Sequence, residues 1–337
     1  MNAKAMLNKI IDGNNLSTKE SSFLLEEIIA GELNPNQVAA VLVALRSKGE
    51  TVEEILGFIK TMRNHMVKIN APGALDIVGT GGDNSGTFNI STATSFVVAG
   101  VGIPVAKHGN RAASSRCGSA DVLEALGVNI NLKSKQTENV FKKVGMVFLF
   151  APLYHPAMKQ IGPVRKQLGV RTIFNFLGPF LNPAQTNLKL LGVPNIKIAE
   201  KLSKVAIKLK YAHLLMVTSN DGMDEITTTA KTTIFEIKGN RLKSYTISPG
   251  QFGIKKSDVK NLRGNNPIEN AAIIKDILKG KKGPKRDIVV LNSAAAIYLA
   301  GKAKDLKTGI SIAEKSIDEG LAMKVMENLI KETTRYA

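Results

Sequence analysis

Three short polar segments carry residue types that can hold phosphate or the metal ion that accompanies it. The first, Asp76-Ile-Val-Gly-Thr-Gly-Gly-Asp-Asn-Ser-Gly-Thr-Phe-Asn-Ile-Ser-Thr92, sets Gly79, Gly81, Gly82 and Gly86 among hydroxyls at Thr80, Ser85, Thr87, Ser91 and Thr92. Glycine can adopt positive φ and let the backbone approach a ligand. Successive N–H groups in such a loop form an anion-binding hollow, and a following helix adds the positive end of its dipole. The spacing is neither the G-x-G-x-x-G dinucleotide pattern nor the G-x-x-x-x-G-K-[ST] triphosphate pattern. A tight turn into a helix capped by Ser91 and Thr92 reads the same residues without a ligand.

The second segment is Lys107-His-Gly-Asn-Arg-Ala-Ala-Ser-Ser-Arg-Cys-Gly-Ser119. Lys107, Arg111 and Arg116 supply positive charge, and Asn110, Ser114, Ser115 and Ser119 supply hydrogen bonds. The third is Ser219-Asn-Asp-Gly-Met-Asp-Glu-Ile226. Its adjacent carboxylates, Asp224 and Glu225, suit Mg²⁺, a hard cation held by few carboxylates together with substrate phosphate. An acidic turn at Asp221-Gly222 is the reading without metal. All three segments follow strand candidates, which places them on the carboxyl rim of an open sheet, where ligands bind.

The elements that must position these loops are legible in the periodicity. Ser17-Thr-Lys-Glu20, Asn34-Pro-Asn-Gln37 and Thr51-Val-Glu-Glu54 are capping boxes before helical apolar spacings. Residues 1–70 therefore form a small all-helical domain, and Asn70-Ala-Pro-Gly73 leads out of it. Residues 74–337 alternate strand and helix: strands at Leu75–Val78, Ile103–Lys107, Val147–Phe150 and His213–Thr218, and helices at Ser91–Ala99, Ser119–Leu126, Gln136–Val144 and Ala199–Lys208. Thr232–Lys238 and Arg241–Ile247 flank Gly239-Asn240 as a hairpin. Helices at Ile288–Leu299 and Ile312–Ile330 close the chain. The fold class is α/β: a small helical N-terminal domain plus a larger domain with a mixed, mostly parallel sheet. The Pro/Gly-punctuated block 151–184 reads as a crossing back, so part of 155–190 would complete the helical domain.

With 337 residues, 44% hydrophobic and 22% charged, the chain can bury a sizeable core. No apolar run approaches the ~20 residues of a membrane span, and the N-terminus lacks the apolar stretch of a secretory signal. The lone Cys117 excludes an internal disulfide and has no sequence-adjacent base to make it a nucleophile. A soluble cytoplasmic protein is expected. The net charge of +18 raises nucleic-acid binding as a rival. The lysines are spread along the chain, however, and the densest run, Lys279-Gly-Lys-Lys-Gly-Pro-Lys-Arg286, reads as a solvated loop.

These motifs resemble the anthranilate phosphoribosyltransferases. The resemblance runs in order through Ala44-Leu-Arg-Ser-Lys-Gly-Glu-Thr51, Gly79-Thr-Gly-Gly-Asp83, Asn89-Ile-Ser-Thr92, Lys107-His-Gly-Asn-Arg111 to Ser119, Pro163-Val-Arg165, Arg171-Thr-Ile-Phe174 with Gly178-Pro179, and Asp221-Gly-Met-Asp-Glu225. Departures are Phe176 and Phe180, where Leu is more usual, and Pro249-Gly-Gln-Phe-Gly253, which lacks the family's acidic residues. The resemblance implies transfer of a phosphoribosyl group from phosphoribosyl pyrophosphate (PRPP) to anthranilate. It implies that Gly79, Gly82, Asp83, Thr87, Asn89, Ile90, Ser91 and Thr92 cradle pyrophosphate. Lys107, His108, Gly109, Asn110, Arg111, Ala112, Ala113, Ser114, Ser115 and Ser119 would hold the rest of PRPP. Ser91, Asp224 and Glu225 would organise Mg²⁺; Gly79, His108, Asn110, His155 and Arg165 would surround anthranilate, with Lys107 and Arg165 as electrostatic and orienting groups. It further implies a homodimer through the helical domain, with no membrane and no specific nucleic acid as partner. Pyrimidine-nucleoside phosphorylases share the implied architecture but carry a different Gly-rich loop. A nucleic-acid-binding relative would lack Arg165 or the complete Asn89–Thr92 and Asp224-Glu225 elements.

Overall fold

A computed structural model describes residues 2–83, 85–112 and 115–337. Helices α1 (Ala3–Ile11), α2 (Thr18–Ala30), α3 (Pro35–Lys48) and α4 (Val52–Asn64) form the N-terminal bundle. All three expected capping boxes are made, at Ser17, Asn34 and Thr51. Glu54 does more than cap: wholly buried, it also accepts from Leu16 N–H at 2.9 Å and Lys48 Nζ at 3.0 Å, tying the α1–α2 turn to α4.

The α/β part begins with β1 (Leu75–Gly79), α5 (Ile90–Gly100), β2 (Val105–Gly109), α6 (Ser119–Leu126), α7 (Ser134–Val144) and β3 (Met146–Phe150). Short α8 (Ala151–Tyr154), α9 (Met158–Leu168) and α10 (Phe174–Leu177) lead to β4 (Leu188–Gly192), α11 (Ile196–Lys208) and β5 (His213–Ser219). The hairpin β6 (Thr232–Lys238) and β7 (Arg241–Ile247) follows, then α12 (Pro267–Leu278), α13 (Pro284–Leu299), α14 (Leu306–Asp318) and α15 (Leu321–Thr334).

The strands form one seven-stranded sheet in the order β3-β2-β1-β4-β5-β6-β7. The first five are mutually parallel and the hairpin is antiparallel. Chain order reverses between β1 and β4, so the crevice beyond their carboxyl ends is the place where an α/β sheet receives a ligand.

Side chains alternate across the strands. Leu190, Leu215, Val217 and Ile234 join the core made with α5–α7 and α12–α15. Leu191, Leu214, Met216, Phe235 and Ile237 face the opposite way, into a core shared with α1–α4, α9, α10 and α11. Residues of the 151–184 block, including Ile161, Val164, Phe174 and Phe180, belong to this second core. Arg63 of α4 reinforces the contact by donating to Phe180 O at 2.9 Å and Tyr211 Oη at 3.1 Å.

Three expectations need correction. Ser91 and Thr92 do not cap α5: the cap position is Asn89, whose side chain makes no capping bond because it is engaged elsewhere, and Thr92 Oγ1 is buried without a partner. The single helix at 312–330 is two, because Gly320 takes φ 71° and turns the chain. Gly100 of α5 fits into that corner, where a Cβ would strike Ser316 Oγ and Ala322 N. The basic run is a solvated loop only in part: Lys281 and Lys282 are exposed, but α13 starts at Pro284 and buries Arg286, whose guanidinium meets Asp318 oxygens at 2.6 and 2.9 Å. Strand β4 was not foreseen at all, since Lys189 interrupts its apolar pattern.

Lys189 is wholly buried and paired with Asp76, its register partner on β1. Removing one member of a buried ion pair leaves an uncompensated charge. Asp76→Ala should therefore cost about 3–5 kcal/mol in denaturant unfolding. Adding Lys189→Met should recover part of that loss, and a double variant no more stable than the single one would discount the pair.

Candidate active site

The site is built on the seam between β1 and β2. Pairing of β1 with β4 runs through five register positions, Leu75–Gly79 with Leu188–Gly192, whereas β1 and β2 register only at Leu75–Val105. Beyond that point side chains take the backbone groups. Asp76 Oδ1 accepts His108 N–H at 3.2 Å, Lys107 Nζ donates to Ile77 O at 2.6 Å, and Asn182 Nδ2 donates to Ala106 O at 2.8 Å.

Lys107 is 2% exposed, and among the described residues its one other hydrogen-bond partner is Ser91 Oγ at 3.1 Å. An ammonium has three donors, so one remains for a ligand. No carboxylate among the described residues lies within ion-pair distance. Burial pushes the Lys107 pKa down, and Asp76 and Glu225 partly restore it. Such a cation gains most when an anion arrives.

Opposite it, the turn after β5 presents Asp224 and Glu225. Burial, then the nearby Asp83 carboxylate, pushes Asp224 up to about 7. Burial and Asp224 raise Glu225 well above the usual carboxylate range, against the lowering effects of Lys107 and the Ser91 N–H at the start of α5. Burial and neighbouring like charge favour the protonated form of each carboxylate. No cluster of three or more His, Cys, Asp or Glu side chains forms a ready metal cage among the described residues. The donor set fits instead a hard divalent cation that takes one or two carboxylates and fills its remaining positions with water and substrate oxygens.

The loops close tightly on this centre. Gly79 lies so near the Asp224 carboxylate, and Gly192 so near the Asp224 backbone, that a Cβ at either would collide. Gly81 N–H donates to Asp224 Oδ2 at 2.9 Å, and Arg171 reaches Gly82 O. Ser85 and Thr87 hydroxyls meet at 3.2 Å. In the second loop Ser119 Oγ donates to Asn110 O at 3.4 Å beneath Gly109, and Asp121 accepts from Ala112 and Gly118 N–H. Ser115 and Asn110 are exposed. Arg111 turns its guanidinium onto Glu124, at 2.9 Å, and Asp121, at 3.2 Å, so its charge is already balanced. Ala113 and Ser114 lie outside the described residues.

The other expected residues form a second group. His108 and His155 approach Nε2 to Nε2 at 3.2 Å in a buried pocket. Burial, then the His155 charge, depresses His108 to about 3, and burial depresses His155 to about 4. Both imidazoles are neutral near pH 7 and weak as bases there. Arg165, half-buried on α9, stacks on Phe174 with its Cζ 5.3 Å from the ring centre. No carboxylate pairs with it among the described residues, and burial lowers its pKa, so it too is a cation awaiting an anion.

Sequence reasoning missed Asp76, Lys189, Asn182 and Gly192. A signal was present: Leu75-Asp76-Ile77-Val78 and Leu188-Lys189-Leu190-Leu191 are apolar runs with one opposite charge each at the same position.

Comparison with known proteins places this geometry. Residues 4–66 match the glycosyl transferase family helical bundle domain, and residues 71–323 match the glycosyl transferase family a/b domain. The chain is 48% identical to the anthranilate phosphoribosyltransferase of Methanobrevibacter smithii over 98% of its own length and 99% of the relative's. It is 49% identical to that of Clostridium kluyveri over 96% and 97%. The crystal structure of anthranilate phosphoribosyltransferase from Thermus thermophilus superposes with a TM-score of 0.91 at 38% identity, covering 99% of this chain and 100% of that one. The Saccharomyces cerevisiae enzyme in complex with PRPP and Mg does so with a TM-score of 0.92 at 30% identity, covering 99% and 98%. The chain belongs to the glycosyl transferase family with helical bundle and a/b domains, and within it to the anthranilate phosphoribosyltransferases.

Proposed function

We propose that this chain transfers the 5-phosphoribosyl group of PRPP to the amine of anthranilate, giving N-(5-phosphoribosyl)anthranilate and pyrophosphate in tryptophan biosynthesis. The observation that carries the reading is one rim on which a buried, unpaired Lys107 faces the raised carboxylates Asp224 and Glu225 beneath a glycine loop.

Gly79, Gly82, Asp83 and Thr87 with Asn89–Thr92 take the pyrophosphate end. Lys107 to Ser115, with Ser119, take the remaining phosphate and the ribose. Asp224, Glu225 and Ser91 would hold Mg²⁺, which supplies charge neutralisation at the leaving pyrophosphate. Lys107 stabilises that same developing anion from a water-poor position, where its charge acts most strongly. Arg165 receives the anthranilate carboxylate through its planar fork, and Gly79, Asn110, His108 and His155 complete the pocket. The C–O bond to pyrophosphate breaks with its electron pair, and the amine lone pair forms the C–N bond from the opposite face. The two bond changes pass through an oxocarbenium-like transition state with inversion at the anomeric carbon and no covalent enzyme intermediate. The nitrogen, positively charged once the C–N bond forms, gives its extra proton to water or to the departing pyrophosphate, and the neutral histidines line the pocket.

We further propose that residues 1–70 and part of 155–190 make one helical domain, on the strength of their shared apolar core, with 74–337 as the α/β domain. A second copy of the chain would dock on the helical domain, covering exposed Ile11 and Val43.

Mixing the protein with anthranilate, PRPP and Mg²⁺ should quench anthranilate fluorescence with matching pyrophosphate release; intact protein that binds PRPP without quenching would assign another acceptor. Arg165→Ala should raise KM for anthranilate by at least about tenfold, the loss of one charge-assisted contact, with little change for PRPP. Equal effects on both substrates would remove Arg165 from the acceptor pocket. A cation must displace the proton that Asp224 carries below its raised pKa of about 7, so affinity for Mg²⁺-pyrophosphate should climb from about pH 6 to about pH 8. Asp224→Asn should flatten that climb, as measured by calorimetry.

A further inference from the structure

Three stretches of chain that are far apart in sequence meet behind the pyrophosphate loop, and one buried amide joins them. Asn270 of α12 is 1% exposed. Its Oδ1 accepts Asn265 N–H at 2.8 Å, and its Nδ2 donates to Asn89 Oδ1 at 3.0 Å. Asn89 Nδ2 in turn donates to Cys117 O, in the second loop, at 3.1 Å. A backbone donor at one end of this relay and a backbone carbonyl at the other fix the orientation of both amides. Each must offer an acceptor and a donor at the same time, which a carboxylate cannot do.

The same segment is bound to the glycine loop by backbone pairing. Gly264 N–H donates to Gly86 O at 3.0 Å and Phe88 N–H to Leu262 O at 3.1 Å, around the bridge of Thr87 with Arg263. Gly264 is needed for this approach, because a Cβ would sit 2.5 Å from Asn270 Oδ1 and 2.6 Å from Phe88 Cα. From the other side Arg116 Nη1 donates to Asn265 Oδ1 at 3.0 Å. The segment 262–266 is thus a strap, and Asn270 is the pin that sets it against both loops.

We propose that Asn270 is a positioning residue for the phosphoribosyl donor, holding the Thr87–Asn89 loop and the Arg116–Gly118 loop at the separation that the pyrophosphate end of the donor requires. This rests on the assignment of those loops to PRPP made above. Asn270 touches no reacting atom, and Arg165 and His155 of the acceptor pocket lie on α9 and the segment before it, away from the strap. Its influence should therefore fall mainly on the phosphoribosyl donor.

The test is Asn270→Asp, which keeps the shape and the acceptor for Asn265 N–H but sets a carboxylate oxygen against Asn89 Oδ1. Mg²⁺-pyrophosphate is titrated calorimetrically onto the full chain, beside KM for both substrates and thermal melting. The expected result is a rise of about tenfold in the pyrophosphate Kd and in KM for PRPP, the size of one buried hydrogen bond lost, with KM for anthranilate changed less than about twofold. A lower melting temperature with unchanged Kd and KM would make Asn270 a packing residue and overturn the proposal. Should that variant not fold, Gly264→Ala and the exposed Asn265→Ala probe the same strap; a Kd raised in both supports it, and a Kd unchanged in both overturns it. A parent protein that binds Mg²⁺-pyrophosphate but leaves anthranilate unreacted would overturn the acceptor assignment alone, with the Asn270 affinity effect still deciding this proposal. A parent that does not bind Mg²⁺-pyrophosphate would overturn both.

Discussion

The buried ion pair between Asp76 and Lys189 is the interaction on which the rest of the site depends. It lies at matching positions of β1 and β4, where the chain order reverses, and both side chains are wholly out of solvent. Asp76 spends its other oxygen on the His108 backbone. One carboxylate therefore balances a neighbouring lysine and also stands in for a missing strand bond. That allows β2 to part from β1, and Lys107 lies along the opening. Without the pair, the seam would either close into an ordinary ladder or leave a buried charge and a buried N–H unsatisfied.

The opened seam brings ionisable groups of both kinds into one small space. Lys107 is held by a carbonyl and a hydroxyl rather than by a carboxylate, so its charge is available. Asp224 accepts the Gly81 N–H and lies near the Asp83 carboxylate, and Glu225 lies near Asp224, so the pair is short of positive charge in the complementary sense. In the proposed reading, a metal–pyrophosphate complex would set its cation against the carboxylates and its anion against the lysine. The protein holds both halves of that complement in place before any ligand arrives, which is how electrostatic preorganisation lowers a barrier.

Much of this was legible beforehand. The capping boxes at Ser17, Asn34 and Thr51, the hairpin around Gly239-Asn240 and the α6 boundaries follow from local rules, and the structure has them. The three polar loops were legible for the same reason, since glycines, hydroxyls and paired carboxylates are local composition. Failures came where a distant partner overrode the local signal. Lys189 hid a strand because Asp76 lies 113 residues away. Arg286 looked solvated because its partner Asp318 is on another helix. Ser91 looked like a cap, but its hydroxyl answers to Lys107 from the adjacent strand.

Sequence alone determined the two-part architecture, most of the elements other than β4, and the residue types suited to phosphate, metal and carboxylate, because each depends on periodicity or on chemistry carried within a few residues. Only the tertiary structure decided which of those residues are charged, paired or free. Arg111 is neutralised by Glu124 while Lys107 is not, and His108 and His155 are kept neutral by burial against each other. The physical reason is that the state of a buried ionisable group is set by desolvation and by neighbours within a few ångströms, and the fold draws those neighbours from anywhere in the chain.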